Sequence, residues 1–578
     1  MTNAAPRSRV SHFLVFPSAL SLVAILFAPA AAAGQAAPVS ESVIVTSTLT
    51  PQEERDLGSA ATVITREKIE ASGATTVLEL LREAPGVDVS RQGSDGSLTS
   101  VFLRGTNSTQ ALVLVDGVRV NSPYFAGYDF SALTTENVER IEIVRGPFSA
   151  LYGSDAIGGV VQIFTRAASA GFSGSAALEA GSAGQRQGSL FASGGEGPLT
   201  AAASLREARV EGDRANSDWR ERNGSLRLEG RLSSAVRLAL EGAILDGEAG
   251  IPGPVGGETP RARGGFREER IELPVFFEPA AGHEATLVLA HVSSKPSYRN
   301  PDDPFGFTFS NTDARTWQAR ASDTLSAGPH RLTAFASWER WQVDDANSFG
   351  VALAGNRSTL WGGGFQDSVS FGSAFVATAG LRYDRHSEFG DAWSPRGTLA
   401  WLSTDGRWKL RASAGSAFRA PSVGELAYPL VGNPDLKPER SASYEVGAER
   451  YLSGGRLEVS LFWNELRDLI VFDFTTQKNQ NIGRARTRGV ELGWRQSLSA
   501  RMALDAGYTY LDGEDLTAGQ PLLRRPKHRA YLSAVWHPAP SLSVSPRATF
   551  VGGRDDVDPV SFARVTHPSY LRYDLFVR

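Results

Sequence analysis

The sequence predicts an all-β membrane protein, a transmembrane antiparallel β-barrel of about 20 strands enclosing a smaller N-terminal α+β domain. Three observations predict it. From residue 170 onward the chain reads as long alternating strands separated by polar, glycine-rich stretches. Past the N-terminal leader no segment approaches ~18 consecutive apolar residues, so a membrane-spanning form has to be a closed sheet. Residues 41–169 follow a different pattern, mixing short helices with buried strands. At roughly twenty residues per strand and loop, segment 170–578 makes about twenty strands, too wide a barrel for its own side chains to fill. The N-terminal domain is therefore the candidate plug.

Arg7 and Arg9 precede the apolar run 13–27, and the small residues Ala28, Ala30 to Ala33, Ala36 and Ala37 follow. That order is a secretory signal peptide over 1–36 with a small-residue cleavage site. A membrane anchor fits less well, because Pro17, Ser18 and Ser21 interrupt the run and no stop-transfer charges follow it.

In the plug region Thr76 and Glu79 have capping-box spacing, Val77, Leu78 and Leu81 form one apolar side, and Pro85-Gly86 ends the turn. A short helix is expected over 76–83. Residues 111–115 are a continuous apolar run, Asp116-Gly117 is a two-residue hairpin signal, and Val118 and Val120 begin the return strand. Ile141 and Ile143, alternating with Arg140 and Glu142, mark another strand.

In the barrel region Trp408, Leu410, Ala412 and Ala414 line one side of a strand, with Lys409, Arg411 and Ser413 on the other. Leu457, Val459, Leu461 and Trp463 stand likewise against Glu458, Ser460 and Asn464. Met502, Leu504, Ala506 and Tyr508 do so against Asp505 and Thr509. A soluble sandwich alternates too. Two further features favour the barrel. Trp338, Trp341, Trp361, Trp408, Trp463 and Trp536 fall near strand ends, as interfacial girdles require. Long loops at 246–267, 293–315, 419–440 and 512–528 alternate with short turns such as 403–406 and 453–455.

Composition removes other classes. Lys and Arg number 59 against 63 Asp and Glu, so nothing points to a nucleic-acid partner. There is no cysteine, which excludes disulfides, thiolate metal sites and cysteine nucleophiles. His283-Glu284 lacks the second histidine of a zinc motif, and no lysine follows a glycine as a phosphate-binding loop needs. No catalytic constellation, cofactor or metal-ligand set is assigned, and the chain is not expected to be an enzyme. Asp155 lies among glycines that suit tight turns and close packing better than phosphate cradling.

The runs Leu103-Arg104-Gly105-Thr106-Asn107, Leu114-Val115-Asp116-Gly117-Val118-Arg119 and Arg145-Gly146-Pro147, continuing through Tyr152-Gly153-Ser154-Asp155-Ala156-Ile157-Gly158-Gly159-Val160-Val161, resemble the TonB-dependent outer-membrane receptors. The resemblance is nearest to the cobalamin (vitamin B12) receptor branch. It resumes in Arg419-Ala420-Pro421, Gly432-Asn433-Pro434, Pro438-Glu439, Gly483-Arg484-Ala485-Arg486, Gly489-Val490-Glu491 and Leu522-Leu523-Arg524-Arg525.

The resemblance implies a plug over 49–169, a barrel of 22 strands over 170–578, and uptake driven through the inner-membrane TonB protein. Glu41, Ser42, Val43, Ile44, Val45, Thr46 and Ser47 resemble the TonB box (41–48). An extended β-branched run beside the mature N-terminus is suited to adding as a strand to a partner's sheet edge. By residue matching, Leu98, Ser100 and Asn107 fall at plug positions that contact ligand, and Arg524 at a barrel contact. Tyr124 and Phe125, in the apical plug loop, offer aromatic faces to a flat ligand. The branch's extracellular calcium cluster corresponds to Arg220-Glu221-Arg222-Asn223, where two arginines oppose a hard cation, so ligand binding is expected to be insensitive to calcium chelation.

Leu571, Tyr573, Leu575 and Val577 alternate with Arg572, Asp574 and Arg578, so the sequence ends within a strand. Family members continue through about two further strands, so a truncated barrel of about 20 rather than 22 strands is expected, as the resemblance implies. The expected function is TonB-dependent import of a scarce, bulky ligand, cobalamin-like or an iron siderophore, across the outer membrane. The expected partners are TonB, that ligand and outer-membrane lipid. The alternative is a passive porin or surface adhesin on a similar barrel.

Overall fold

The computed structural model describes residues 43–168 and 170–578. The leader 1–36, with Glu41 and Ser42, lies outside the described residues.

The plug is built on a five-stranded sheet in the order Ala61–Thr65, Val138–Arg145, Gly159–Thr165, Ala111–Val115, Val118–Arg119. Only the Ala111–Val115/Gly159–Thr165 pair is parallel. The run 111–115 is apolar throughout because both its faces are covered. Leu112 and Leu114 pack with Val144, Phe148 and Val160, while Val113 and Val115 pack with Ile141 and Ile143 on the other side. Asp116 (φ 50°) and Gly117 (φ 87°) form the expected hairpin turn, with both central residues left-handed.

The helix expected over 76–83 is shorter, Val77–Leu81. Its capping box is not made. The Thr76 side chain makes no cap bond, while the Glu79 carboxylate accepts from the Thr75 N–H at 3.1 Å.

Outside the plug a single antiparallel sheet of 22 paired segments runs from Ser173–Ala180 to Tyr570–Val577. Twenty of these have eight or more residues; Ser297–Arg299 and Gln520–Pro521 are short pieces beside longer strands. The count of full-length strands matches the expected 20. Among the described residues no ladder joins Ser173–Ala180 to Tyr570–Val577.

The barrel is inverted relative to a soluble sheet. In strand Trp408–Arg419 the charged side chains of Lys409 and Arg411 are buried, whereas Leu410 is 47% exposed. In Gly455–Asp473, Ser460 and Asn464 are buried and Leu461 is 49% exposed. Apolar side chains on the outer surface with ions inside is a lipid-facing pattern, and it excludes the soluble sandwich. Trp338 and Trp361 pair across neighbouring strands with ring centroids 6.1 Å apart, and Trp361 and Trp536 are exposed on the outer face.

Trp341 departs from the girdle expectation. It points inward, buried against Val343 and Leu360, and its Nε1–H donates to Glu339 Oε2 at 3.2 Å. Position near a strand end does not determine the face, since a one-residue step reverses it. Two of the long loops are shorter than expected because strand pairing extends into them, whereas the loop expected over 419–440 is found as 420–438. Strands Val236–Gly250 and Arg263–Ala280 leave only 251–262 between them, and Phe309–Ala327 begins inside the expected loop 293–315.

Candidate functional site

Three regions of the plug carry polar side chains that make specific contacts. The first is the coupling segment. Val43–Ile44 pairs antiparallel with Gln52–Glu53, and Ile44 is fully buried against the plug. Glu142, on the inner strand Val138–Arg145, then gathers the segment. Its Oε2 accepts from Val45 N–H (3.0 Å), Thr46 N–H (2.9 Å) and Thr46 Oγ1 (2.6 Å). Tyr152 Oη donates to the Thr46 carbonyl at 2.9 Å. Arg140 Nε donates to the other Glu142 oxygen at 2.8 Å, which orients the carboxylate. The segment is therefore docked by a charged acceptor rather than by apolar packing alone.

The second region joins plug to barrel. Arg104, at φ 50°, lies in a conformation uncommon for a side-chain-bearing residue and is held there by two barrel carboxylates. It makes a two-pronged contact with Glu491 (2.8 and 2.9 Å) and a further bond to Glu445 (2.6 Å). Arg145 approaches Glu491 at 3.4 Å, and Arg411 of the wall pairs with Glu445. Gly86 (φ 70°) sits against the Glu491 carboxylate, where a Cβ would collide with it. Elsewhere on the wall Arg119 binds Glu339 (3.1 Å), and within the plug it binds Asp155 (2.6 Å). Asp155, φ 73°, is thus an ion-pair partner in a tight turn, as the structural reading of that glycine-rich run expects.

The third region is the apical surface of the plug. Leu98 (41%) and Phe125 (39%) are exposed there, Asn107 is exposed, and Ser100 is half-buried. Tyr124 is half-covered by the helix Val423–Ala427, whose Val423 N–H donates to the Pro123 carbonyl at 3.0 Å. Its ring meets Tyr428 at 6.3 Å, and burial beside Asp345 raises its hydroxyl pKa, so it remains a neutral donor. Arg524 turns to Asp556 (2.8 Å), away from Asn107. Its neighbour Arg525 is the residue that reaches the plug, donating to Asn107 Oδ1 (2.7 Å) and the Thr106 carbonyl (2.9 Å) and lying 4.1 Å from the centre of the Phe102 ring. Glu221 of the stretch 220–223 lies in strand Trp219–Arg231 and accepts from Arg206 Nε at 2.6 Å.

Two family models match the chain. One, "TonB dependent receptor-like, beta-barrel", covers residues 166–578, and the other, "TonB-dependent Receptor Plug Domain", covers residues 53–160. The chain belongs to the TonB-dependent receptor family. It is an outer-membrane β-barrel receptor. Solved structures similar to it include the siderophore receptor PirA from Acinetobacter baumannii (18% identity, 91% of this chain and 92% of that one, TM-score 0.77). Another is a mutant of the ferric enterobactin receptor PfeA from Pseudomonas aeruginosa in complex with enterobactin (20% identity, 90% and 92%, TM-score 0.77). A third is the siderophore receptor PiuA from Acinetobacter baumannii (18% identity, 94% and 93%, TM-score 0.77). At these identities the likeness is one of fold.

Reasoning from sequence missed several residues that make these contacts. Glu142 reads only as the polar face of a strand, and its role depends on a segment nearly a hundred residues away. Arg525 stands in the quoted run Leu522-Leu523-Arg524-Arg525, but residue matching selects Arg524, whereas Arg525 is the one that reaches the plug. The pairing of Arg104 with Glu491 was within reach, since both lie in blocks that carry the family resemblance.

Proposed function

We propose that this receptor imports an iron–siderophore complex across the outer membrane, energised by TonB through residues 41–47. The observation that carries the ligand class is the likeness, over nine-tenths of both chains, to structures of siderophore receptors, one of them in complex with enterobactin. The apical surface is chemically suited to such a ligand. Phe125, Tyr124 and Leu98 supply aromatic and apolar faces, and Arg524, Ser100 and Asn107 supply polar contacts. TonB is the partner of the coupling segment, which would leave Glu142 and add to TonB's sheet as an edge strand. A passive porin is disfavoured because the plug is bonded to the wall at two separate places, Arg104 to Glu491 and Arg119 to Glu339.

The test is uptake by cells expressing the receptor, offered a panel of labelled ferric siderophores and cobamides. Saturable uptake of a ferric siderophore, abolished when the inner-membrane potential is dissipated, is the expected result. Uptake of a cobamide alone would replace the ligand class, and uptake indifferent to the potential would overturn the mechanism.

A further inference from the structure

Beside the turn at Asp116-Gly117 the plug faces two barrel strands, Val236–Gly250 and Arg263–Ala280. These strands are paired with Glu241 directly opposite Glu272, and both side chains point into the lumen, 5% and 1% exposed. Like charges at directly opposed positions repel, and burial removes the water that would screen them. Asp116 comes from the plug to meet them. One carboxylate oxygen from each of the three residues lies within 4.8 Å of the other two.

The available hydrogen bonds do not settle this cluster. Asp116 Oδ1 accepts from Thr165 N–H at 2.9 Å, but among the described residues Asp116 Oδ2 and both Glu272 oxygens have no hydrogen-bond partner. Arg270 stands off at 3.5 Å from Glu272 and 3.8 Å from Asp116, and Arg227 pairs with Glu241 and Glu229. Five carboxylates (Asp116, Glu229, Glu241, Glu268 and Glu272) face three guanidiniums (Arg227, Arg237 and Arg270). Carboxylates outnumber guanidiniums around the cluster even when Arg320, which donates to the Gly117 carbonyl at 2.6 Å, is included.

We propose that Asp116, Glu241 and Glu272 bind a hard divalent cation that pins the plug to the barrel wall. A calcium-like ion holds carboxylate oxygens at about 2.3–2.6 Å, so donors up to about 4.8 Å apart fit around one centre. Its positive charge offsets the local excess of carboxylates. Asp116 and Glu241 also border a cavity of about 320 Å³ between plug and wall, which has room for the waters that complete the coordination shell. The site joins Asp116 of the plug to two strands of the barrel, so its occupancy stabilises the seated plug. It is separate from the stretch 220–223 and does not depend on which ligand the receptor carries.

The test uses the purified full chain in detergent, stripped with a chelator and titrated with Ca²⁺ by calorimetry and with Mn²⁺ by electron paramagnetic resonance. Wild type, Glu272→Gln, Glu241→Gln and, as a control in the exposed loop 251–262, Glu258→Gln are compared. The expected result is a site of one ion per chain, weakened at least tenfold in Glu272→Gln and Glu241→Gln and unchanged in the control. Thermal unfolding supplies an independent reading. Ca²⁺ should raise the midpoint of the wild type but not of Glu272→Gln, and in the stripped state Glu272→Gln should be the more stable of the two because it relieves the repulsion. Equal binding by all four proteins would overturn the proposal. So would a wild-type midpoint that rises on acidification and ignores Ca²⁺, because a proton shared between Glu241 and Glu272 would then be the neutralising charge.

Discussion

Thr46 is held by Glu142 through both its backbone and its side chain, with N–H···Oε2 at 2.9 Å and Oγ1···Oε2 at 2.6 Å. The residue that would have to leave for coupling is therefore fastened mainly by one carboxylate on the plug's inner strand, with the Tyr152 hydroxyl on its carbonyl at 2.9 Å. The fastening is local and charge-assisted, so a single substitution can release it without unfolding the sheet behind it.

Glu142→Ala should free the coupling segment. Losing bonds to a charged acceptor weakens docking by about 1.5 kcal/mol or more, a tenfold or greater rise in the released population. The chain has no cysteine, so a single Val45→Cys label reports this directly. Modification should be at least several-fold faster in the Glu142→Ala background, and equal rates would show that Glu142 is no latch.

Arg104→Ala should loosen the plug. It removes the two-pronged contact of Glu491 and one bond of Glu445, leaving Arg145 at 3.4 Å from Glu491 and Arg411 on Glu445, so the cost should fall below the ~3–5 kcal/mol of a fully unpaired buried charge. Lysine at this position should rescue poorly, because it cannot reproduce the two-pronged contact with Glu491. Urea-induced loss of plug protection, followed by proteolysis, should occur at lower denaturant in Arg104→Ala, with the barrel still folded.

The inverted barrel makes a prediction on its outer face. Leu461, exposed between Ser460 and Phe462, which both face inward, is six residues beyond Gly455 at a short turn. Leu461→Arg near the bilayer midplane should cost about 2–4 kcal/mol of folding free energy in lipid. Leu461→Ala should cost much less. Refolding titrations into vesicles measure both, and equal effects would place this face away from lipid.

On the apical surface, Arg525→Ala should detach Asn107 and mobilise the loop that carries it, whereas Arg524→Ala should act through Asp556. If Arg524 contacts an anionic ligand group, its loss weakens binding by about 1–3 kcal/mol. An unchanged dissociation constant for both Asn107→Ala and Arg524→Ala would locate the ligand elsewhere.

Much of the architecture was legible because it repeats. The alternation in Trp408–Arg419 and Gly455–Asp473, the apolar run 111–115 and the Asp116-Gly117 turn are each set by neighbours in sequence, so local reading recovers them. What escaped depends on register and long-range closure. Trp341 faces inward because of its parity on the strand, and Glu241 meets Glu272 only once two strands are paired in a particular register. Glu142 and Thr46 are brought together by the folding of the whole plug. The choice between Arg524 and Arg525 rests on a positive φ of 63° at Arg524, which turns consecutive side chains to different partners.

The central claim, that residues 41–47 transmit energy for import, is tested most directly by Ile44→Pro. Proline removes a backbone donor and resists pairing as an added strand. In energised cells, surface binding and uptake of a transported ferric siderophore should be measured together for wild type and Ile44→Pro. The account predicts unchanged surface binding with uptake reduced to the level seen without the inner-membrane potential; uptake at the wild-type rate would contradict it.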